Sequence, residues 1–337
     1  MHAEIDGSMQ SFKRLSATIN GVVDSVEIND YLYRNISLSG TYADRVWDGN
    51  VVVREPNIAM DLMGRFDLEK TMPEFDFSMN LAHADLHTLN LIKKDSVFRA
   101  SALVTANFRG NRFDNLEGDL RLINSTLENS NGMLSIYDFL VRSSVIGGEP
   151  LLSLRSDFID AEVRGNYTFE AIGSSVSGML AGIFPSRFSE PAPKKEGSPT
   201  LAMFTVDARV KKADRLNDFL GTGLSVSEGT RLTGHFWSDS PEMTAEVKSG
   251  AITYAGLRMG QMKMTGRVTG DRVRVEITAD TLLLPDRSEL NNFILAAVGE
   301  SDTVDLGMEW DNRDNGRTLG EVKARGFFSL NEHDRPV

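Results

Sequence analysis

The chain has 337 residues, a formal net charge of −12 and no cysteine. The charge argues against a nucleic-acid partner, because a phosphate-binding surface needs clustered Lys and Arg and here they are interspersed with carboxylates. The missing cysteines exclude disulfides, thiolate metal centres and cysteine nucleophiles.

Length alone suggests two domains at about 150 residues each, although all-β folds often run longer as single units. No apolar run reaches about 18 residues, so nothing reads as a membrane-spanning helix. The polar opening HAEIDGSMQSF has no apolar core and does not read as a signal peptide. The chain starts and stops inside strand-like sequence and reads as a fragment of something longer.

Residues 1–34 suggest two or three short strands. From Asn35 to Leu68 the pattern is strand, turn, strand, turn, strand: Ile36, Leu38, Gly40 and Tyr42 share one face, and Ile58, Met60, Leu62, Gly64, Phe66 and Leu68 share another. Successive side chains on a strand point to opposite faces, so a period of two describes a sheet with one apolar and one polar side. Phe75, Phe77, Met79 and Leu81 repeat it. Ala82–Asp95 breaks it, and Leu86, Leu89 and Leu91 suggest a short helical turn against the sheet. Phe98, Ala100, Ala102, Val104, Ala106 and Phe108 form the longest uninterrupted alternation. Leu116, Gly118, Leu120 and Leu122 follow, then strands at Met133–Ile136, Asp138–Arg142, Leu151–Asp157 and Asp160–Phe169.

At Gly173 the period changes. Val176, Met179, Leu180 and Ile183 are spaced as on a helix, Pro185 ends it, and Ser189–Pro199 reads as a flexible loop. Strands resume with Ala202–Val210. A second short helix, ADRLNDFLG, places Leu216, Phe219 and Leu220 on one side and Gly221 as its stop. From Leu224 to Leu330 strands follow every 8–12 residues or so, as in an all-β array. Glycines stand two residues before an aromatic at Gly40, Gly64, Gly165, Gly234 and Gly326. Such glycines mark bends or close approach, or are covered by the aromatic as in an ordinary hairpin.

No convergent polar constellation suggests an enzyme. His83 and His87 are the only neighbouring histidines and lack a third ligand, so no metal is expected. No cofactor motif is present. The 14 methionines fall largely on strand faces, where a flexible thioether fills gaps or lines an adaptable surface.

The fold expected is therefore all-β, a long curled antiparallel sheet with two short helices. It divides into residues 1–172, a helix and loop at 173–200, and residues 201–337. The apolar faces must close against one another as a sandwich, close into a barrel or β-helix, or line a groove; alternation alone leaves these open. The candidate lining in the first stretch is Ile58, Met60, Leu62, Phe66, Phe75, Phe77, Met79, Leu81, Phe98, Val104, Phe108, Leu120, Leu122, Val163, Tyr167 and Phe169. In the second it is Phe204, Val206, Met262, Met264, Val273, Val275 and Ile277. Asp76, Arg99, Arg164 and Arg274 should face water.

Several phrases together, GTYADRVWDGNVVVREPNIAMDLMGRFDL, MPEFDFSMNLAHADLHTLNL, ITYAGLRMGQMKMTGRV and LNNFILAAV, resemble the central repeats of the TamB-type translocation and assembly module proteins of the AsmA-like superfamily. The likeness is to the Bacteroidetes branch and spans roughly Ile19 to Phe328. It implies a half-pipe, or β-taco, whose apolar interior carries phospholipid acyl chains between inner and outer membranes. It also implies a periplasmic location, an inner-membrane tether outside this chain, and an outer-membrane partner of the Omp85 type. It implies no catalytic residues. A non-catalytic scaffold templating outer-membrane strands, or a structural β-sandwich, are the alternative readings.

Overall fold

The structure, a computed structural model, describes residues 2–11, 14–111, 116–166, 177–178, 180–188, 203–237, 242–312 and 319–328. The chain is all-β and antiparallel, is not closed into a barrel, and has two short helical segments. It separates into two compact units. One comprises residues 1–144, 152–157 and 218–221, the other residues 145–151, 158–217 and 222–337.

In the first unit the strands are β1 (His2–Ser11), β2 (Arg14–Ile28), β3 (Tyr31–Ala43), β4 (Val46–Glu55), β5 (Ile58–Asp67), β6 (Glu74–Asp85), β7 (Arg99–Arg109), β8 (Glu117–Asn129) and β9 (Gly132–Ile146). Each pairs with the next as an antiparallel meander. β10 (Glu149–Ser156) returns on β9 through Gly147-Gly148, whose φ angles of 62° and 88° are ones that glycine adopts without strain. The opening residues thus form two long strands and the start of a third, where two or three short ones were expected. Met133–Ile136 and Asp138–Arg142 belong to a single strand.

In the second unit the strands are β11 (Ile159–Asn166), β12 (Met203–Val210), β13 (Leu224–Val226), β14 (Arg231–Trp237), β15 (Glu242–Tyr254), β16 (Leu257–Thr269), β17 (Arg272–Leu283), β18 (Glu289–Glu300), β19 (Thr303–Asp311) and β20 (Leu319–Phe327). The ladder runs β11–β12–β14–β15 and then in sequence order to β20, with β13 beside β15.

Several strands contain a residue in the left-handed region: Asn35 (φ 52°) in β3, Asn124 (φ 47°) in β8, Gln261 (φ 46°) in β16 and Asn292 (φ 50°) in β18. Each reverses the alternation. Leu122 pairs with Val104 and Leu127 with Ala100. Val104 and Ala100 lie four apart on one face of β7, yet their partners lie five apart in β8. The extra residue is absorbed at Asn124, as in a β-bulge. Asparagine tolerates this conformation better than most side chains.

Two short elements pack on the apolar faces. In the first unit the turn at 86–90 drives Leu89 to 0% exposure against Ile36, Val53, Ile58 and Ala84. Asp85 shapes this turn: its carbonyl accepts from Leu89 N–H (3.0 Å) and its carboxylate from Thr88 N–H (3.0 Å). Leu86 packs beside Leu89, but Leu91 is 51% exposed, so only two of the three expected leucines face the sheet. In the second unit residues 177–178 and 180–183 are helical. Ile183 is 1% exposed against Phe236 and Val268. Ser186 donates from its N–H and Oγ to the Asp302 carboxylate (both 2.9 Å), and Asp302 N–H donates to Ile183 O (3.0 Å).

The Asp214–Leu220 helix buries Phe219 while Leu220 is exposed, against expectation. The Phe219 ring meets Phe98 edge-on at 6.1 Å, and its carbonyl accepts from the side-chain amides of Asn129 and Asn131. Gly221 ends the helix with φ 63°. The loop expected at Ser189–Pro199 lies outside the described residues.

Candidate functional site: an apolar sheet face in each unit

Directly paired residues of antiparallel strands project to the same face, so the register shows which side chains assemble. In the first unit one row runs Gly21, Leu38, Val51, Leu62, Met79, Val104, Leu122, Phe139 from β2 to β9. The neighbouring row runs Ile19, Gly40, Gly49, Gly64, Phe77, Ala106, Leu120, Val141 over the same strands. A third places Trp47, Phe66, Phe75 and Phe108 side by side. Phe66 and Phe77 stack at 5.7 Å, and Phe75 and Phe108 at 4.9 Å. Met60 and Leu81 pair one step further, and Ile58 joins the cluster under Leu89. The candidate lining residues from Ile58 to Leu122 that lie in strands thus share one face; Phe98 precedes β7, outside these rows, with its ring against Phe219.

In the second unit a row of nine runs Val163, Val206, Gly234, Ala245, Gly266, Val275, Ala297, Leu306, Ala324. Beside it runs Ala161, Ala208, Leu232, Val247, Met264, Ile277, Leu295, Met308, Val322. On the other side Phe204, Phe236, Met243, Val268 and Val273 lie in line, under the 180–183 helix. Met262, on β16 beyond Met264 and away from this row, is buried. Tyr167 and Phe169 lie outside the described residues.

These faces are half-buried rather than sealed. Leu62, Phe77, Met79 and Leu122 in one unit, and Val163, Met264, Val275 and Ile277 in the other, keep part of their surface in contact with solvent. Among the described residues the large side chains that are wholly enclosed are Leu89 and Ile183, the two delivered by the covering segments. The described strands form one sheet, with no second sheet among them, although Val104 and Ala106 in the middle of the rows are buried.

The opposite faces are polar. Asp76, Arg99, Arg164 and Arg274 are all exposed, as their parity requires. Cross-strand ion pairs line this side: Arg65 with Asp48 (3.8 Å), Arg121 with Asp138 (2.8 Å), Arg142 with Asp119 (3.9 Å), Arg272 with Glu300 (3.5 Å) and Arg325 with Asp305 (2.5 Å). The Arg325 hydrogen bond holds the Asp305 carboxyl below its ordinary value. Exposed pairs of this kind contribute little to stability; they help to set register.

Glycine lets neighbouring strands of the first sheet approach closely. A Cβ on Gly40 would sit 2.7 Å from Gly49 Cα and 2.5 Å from Asp48 O. A Cβ on Gly64 would lie 2.7 Å from Phe77 Cα. Strands approach here closer than any side chain permits. Gly165 meets Phe204 in the same way, with φ 123°. Gly326 meets nothing, and Gly320 is instead covered by the Trp310 ring, so both readings of strand glycine apply, at different positions.

His83 Nε2 lies 3.0 Å from Pro56 O, and His87 Nδ1 is buried without a hydrogen-bond partner. Among the described residues no three potential metal ligands gather. No helix there is long and apolar enough to cross a membrane. Comparison with family models, with curated proteins and with solved structures returns no match.

Proposed function

We propose that this chain is a lipid-binding protein whose two apolar sheet faces hold phospholipid acyl chains, and that it moves phospholipid between the inner and outer membranes from a periplasmic position. The observation that carries the reading is the unbroken register of apolar rows over eight and nine strands, many of whose side chains keep part of their surface in solvent. A sheet that served only as scaffold would gain by burying that surface: each methylene removed from water is worth about 0.8 kcal/mol. A phospholipid with roughly 30 acyl methylenes needs on the order of 20 kcal/mol of shielding to cross an aqueous gap. Rows of Leu, Met, Phe and Val supply such a lining, and the methionines adapt it to chains of different shape. The resemblance to AsmA-like translocation and assembly module proteins points the same way, including support of outer-membrane protein assembly with an Omp85-type partner.

The chemistry is non-catalytic. Bound chains displace water from the apolar face while charged headgroups remain in solvent. Native mass spectrometry of the purified protein tests this: phospholipid adducts surviving gentle desorption are expected, and adduct-free protein from a lipid-replete host contradicts it.

A second reading has one observation in its favour. β20 pairs with β19 on one side, and its residues from Glu321 to Phe327 are exposed. An open edge of this kind accepts a further strand by β-augmentation.

A further inference from the structure

The polar face of the second unit departs from the ion-pair pattern between β16 and β17. Arg267 on β16 and Arg274 on β17 are registered partners, so two guanidinium groups stand directly opposite each other. Like charges so placed destabilise a sheet. In the other registered arginine pair, Arg209–Arg231, Asp207 neutralises Arg231, whereas among the described residues neither Arg267 nor Arg274 has an ion-pair partner. The register continues the row through Thr244 to His235, and these residues line a concavity of about 540 Å³.

Two carboxylates also line it, Glu246 and Glu276. Glu246 is held by Lys248 (2.5 Å) and Lys263 (3.2 Å), which lower its pKa. It is therefore already neutralised. Glu276 is left against two arginines, so the concavity keeps a local positive excess in a chain whose net charge is −12. A tetrahedral oxyanion spans neighbouring guanidiniums by paired N–H···O bonds and accepts from hydroxyls as well.

We infer that the Arg267–Arg274 pair, with His235 and Thr244, is a binding site for a phosphate-bearing anion on the polar face of the second unit. This does not rest on the acyl-chain reading, which concerns the opposite face. A bound phosphate relieves the repulsion of the pair, and the threonine hydroxyl and imidazole complete its shell. The same chemistry is offered by a soluble phosphomonoester and by an anionic phospholipid headgroup.

The test is calorimetric titration of the whole chain with glycerol 3-phosphate, and flotation with phosphatidylglycerol or phosphatidylcholine vesicles. Both are repeated on Arg267→Gln, Arg274→Gln and, as control, Arg325→Gln, whose guanidinium is held by Asp305. All three positions are exposed, so the variants should melt like the parent. Saturable glycerol 3-phosphate binding, weakened about tenfold or more by either of the first two changes and unaffected by the control, supports the site with a soluble ligand. Binding only to phosphatidylglycerol vesicles, with the same dependence on Arg267 and Arg274, supports it with a headgroup as the source. No binding to either probe, or binding that all three variants share equally, overturns it.

Discussion

A methyl group at Gly49 would lie 2.6 Å from Gly40 Cα, against backbone that cannot step aside. Gly49→Ala should therefore cost about 1–3 kcal/mol, the range for overpacking. Gly266 stands in a central strand of the other unit with nothing within 4 Å. Gly266→Ala should stay within about 0.5 kcal/mol of the parent. Denaturant unfolding of the two variants checks this, and equal costs would contradict a close approach of β3 and β4 at Gly40 and Gly49. Asp85 gives a second test at this scale. The Thr88 N–H holds its carboxyl below the ordinary value. A depressed carboxylate contributes stability above its unfolded pKa and loses it as pH falls through the folded one. Melting temperature should thus fall from about pH 5 to pH 3, and less steeply in Asp85→Asn. Parallel slopes would mean the Asp85–Thr88 bond does not hold the turn.

The covering segments are where elements decide stability. Leu89→Ala should cost about 2–5 kcal/mol, because the side chain is fully enclosed. Leu91→Ala, two residues on and half exposed, should change stability by less than about 0.5 kcal/mol. Chemical denaturation of the pair distinguishes them. Sequence periodicity located this turn and the helix at 180–183, but it could not tell Leu89 from Leu91. That choice is made by the tight turn after Asp85, not by apolar character. The alternation of β5, of β6 as far as Leu81 and of β7 was legible because parity carries through there, whereas beyond Leu81 an extra residue in β6 brings Ala84 to the buried face. It failed across Asn124, Gln261 and Asn292, where one left-handed residue reverses the faces. An asparagine between apolar residues five apart, as at Leu122 and Leu127, is the signal that parity alone overlooks. The Arg267–Arg274 pair was not legible at all: Arg274 reads simply as a solvated position, and only register brings its partner opposite.

Across the molecule, each unit repeats one design: a meander with a polar face stitched by ion pairs and an apolar face that is half-buried. If acyl chains run along that face, a charge placed there meets an opening to water and the sheet survives. In a closed core the same charge would be unpaired and the fold would be lost. Met79→Asp and Val275→Glu should therefore fold, with circular-dichroism melts within a few degrees of the parent, and should lose lipid adducts. Unfolding of both variants would mean that the faces are sealed in solution. The most direct measurement places a photo-reactive amino acid at successive positions of β6, in the presence of phospholipid bearing a traceable acyl chain. Crosslinks at Phe77 and Met79 and none at Asp76 and Ser78 are the predicted result. Crosslinks at all four positions alike, or at none of them while the protein is folded, would contradict a lipid-bearing face.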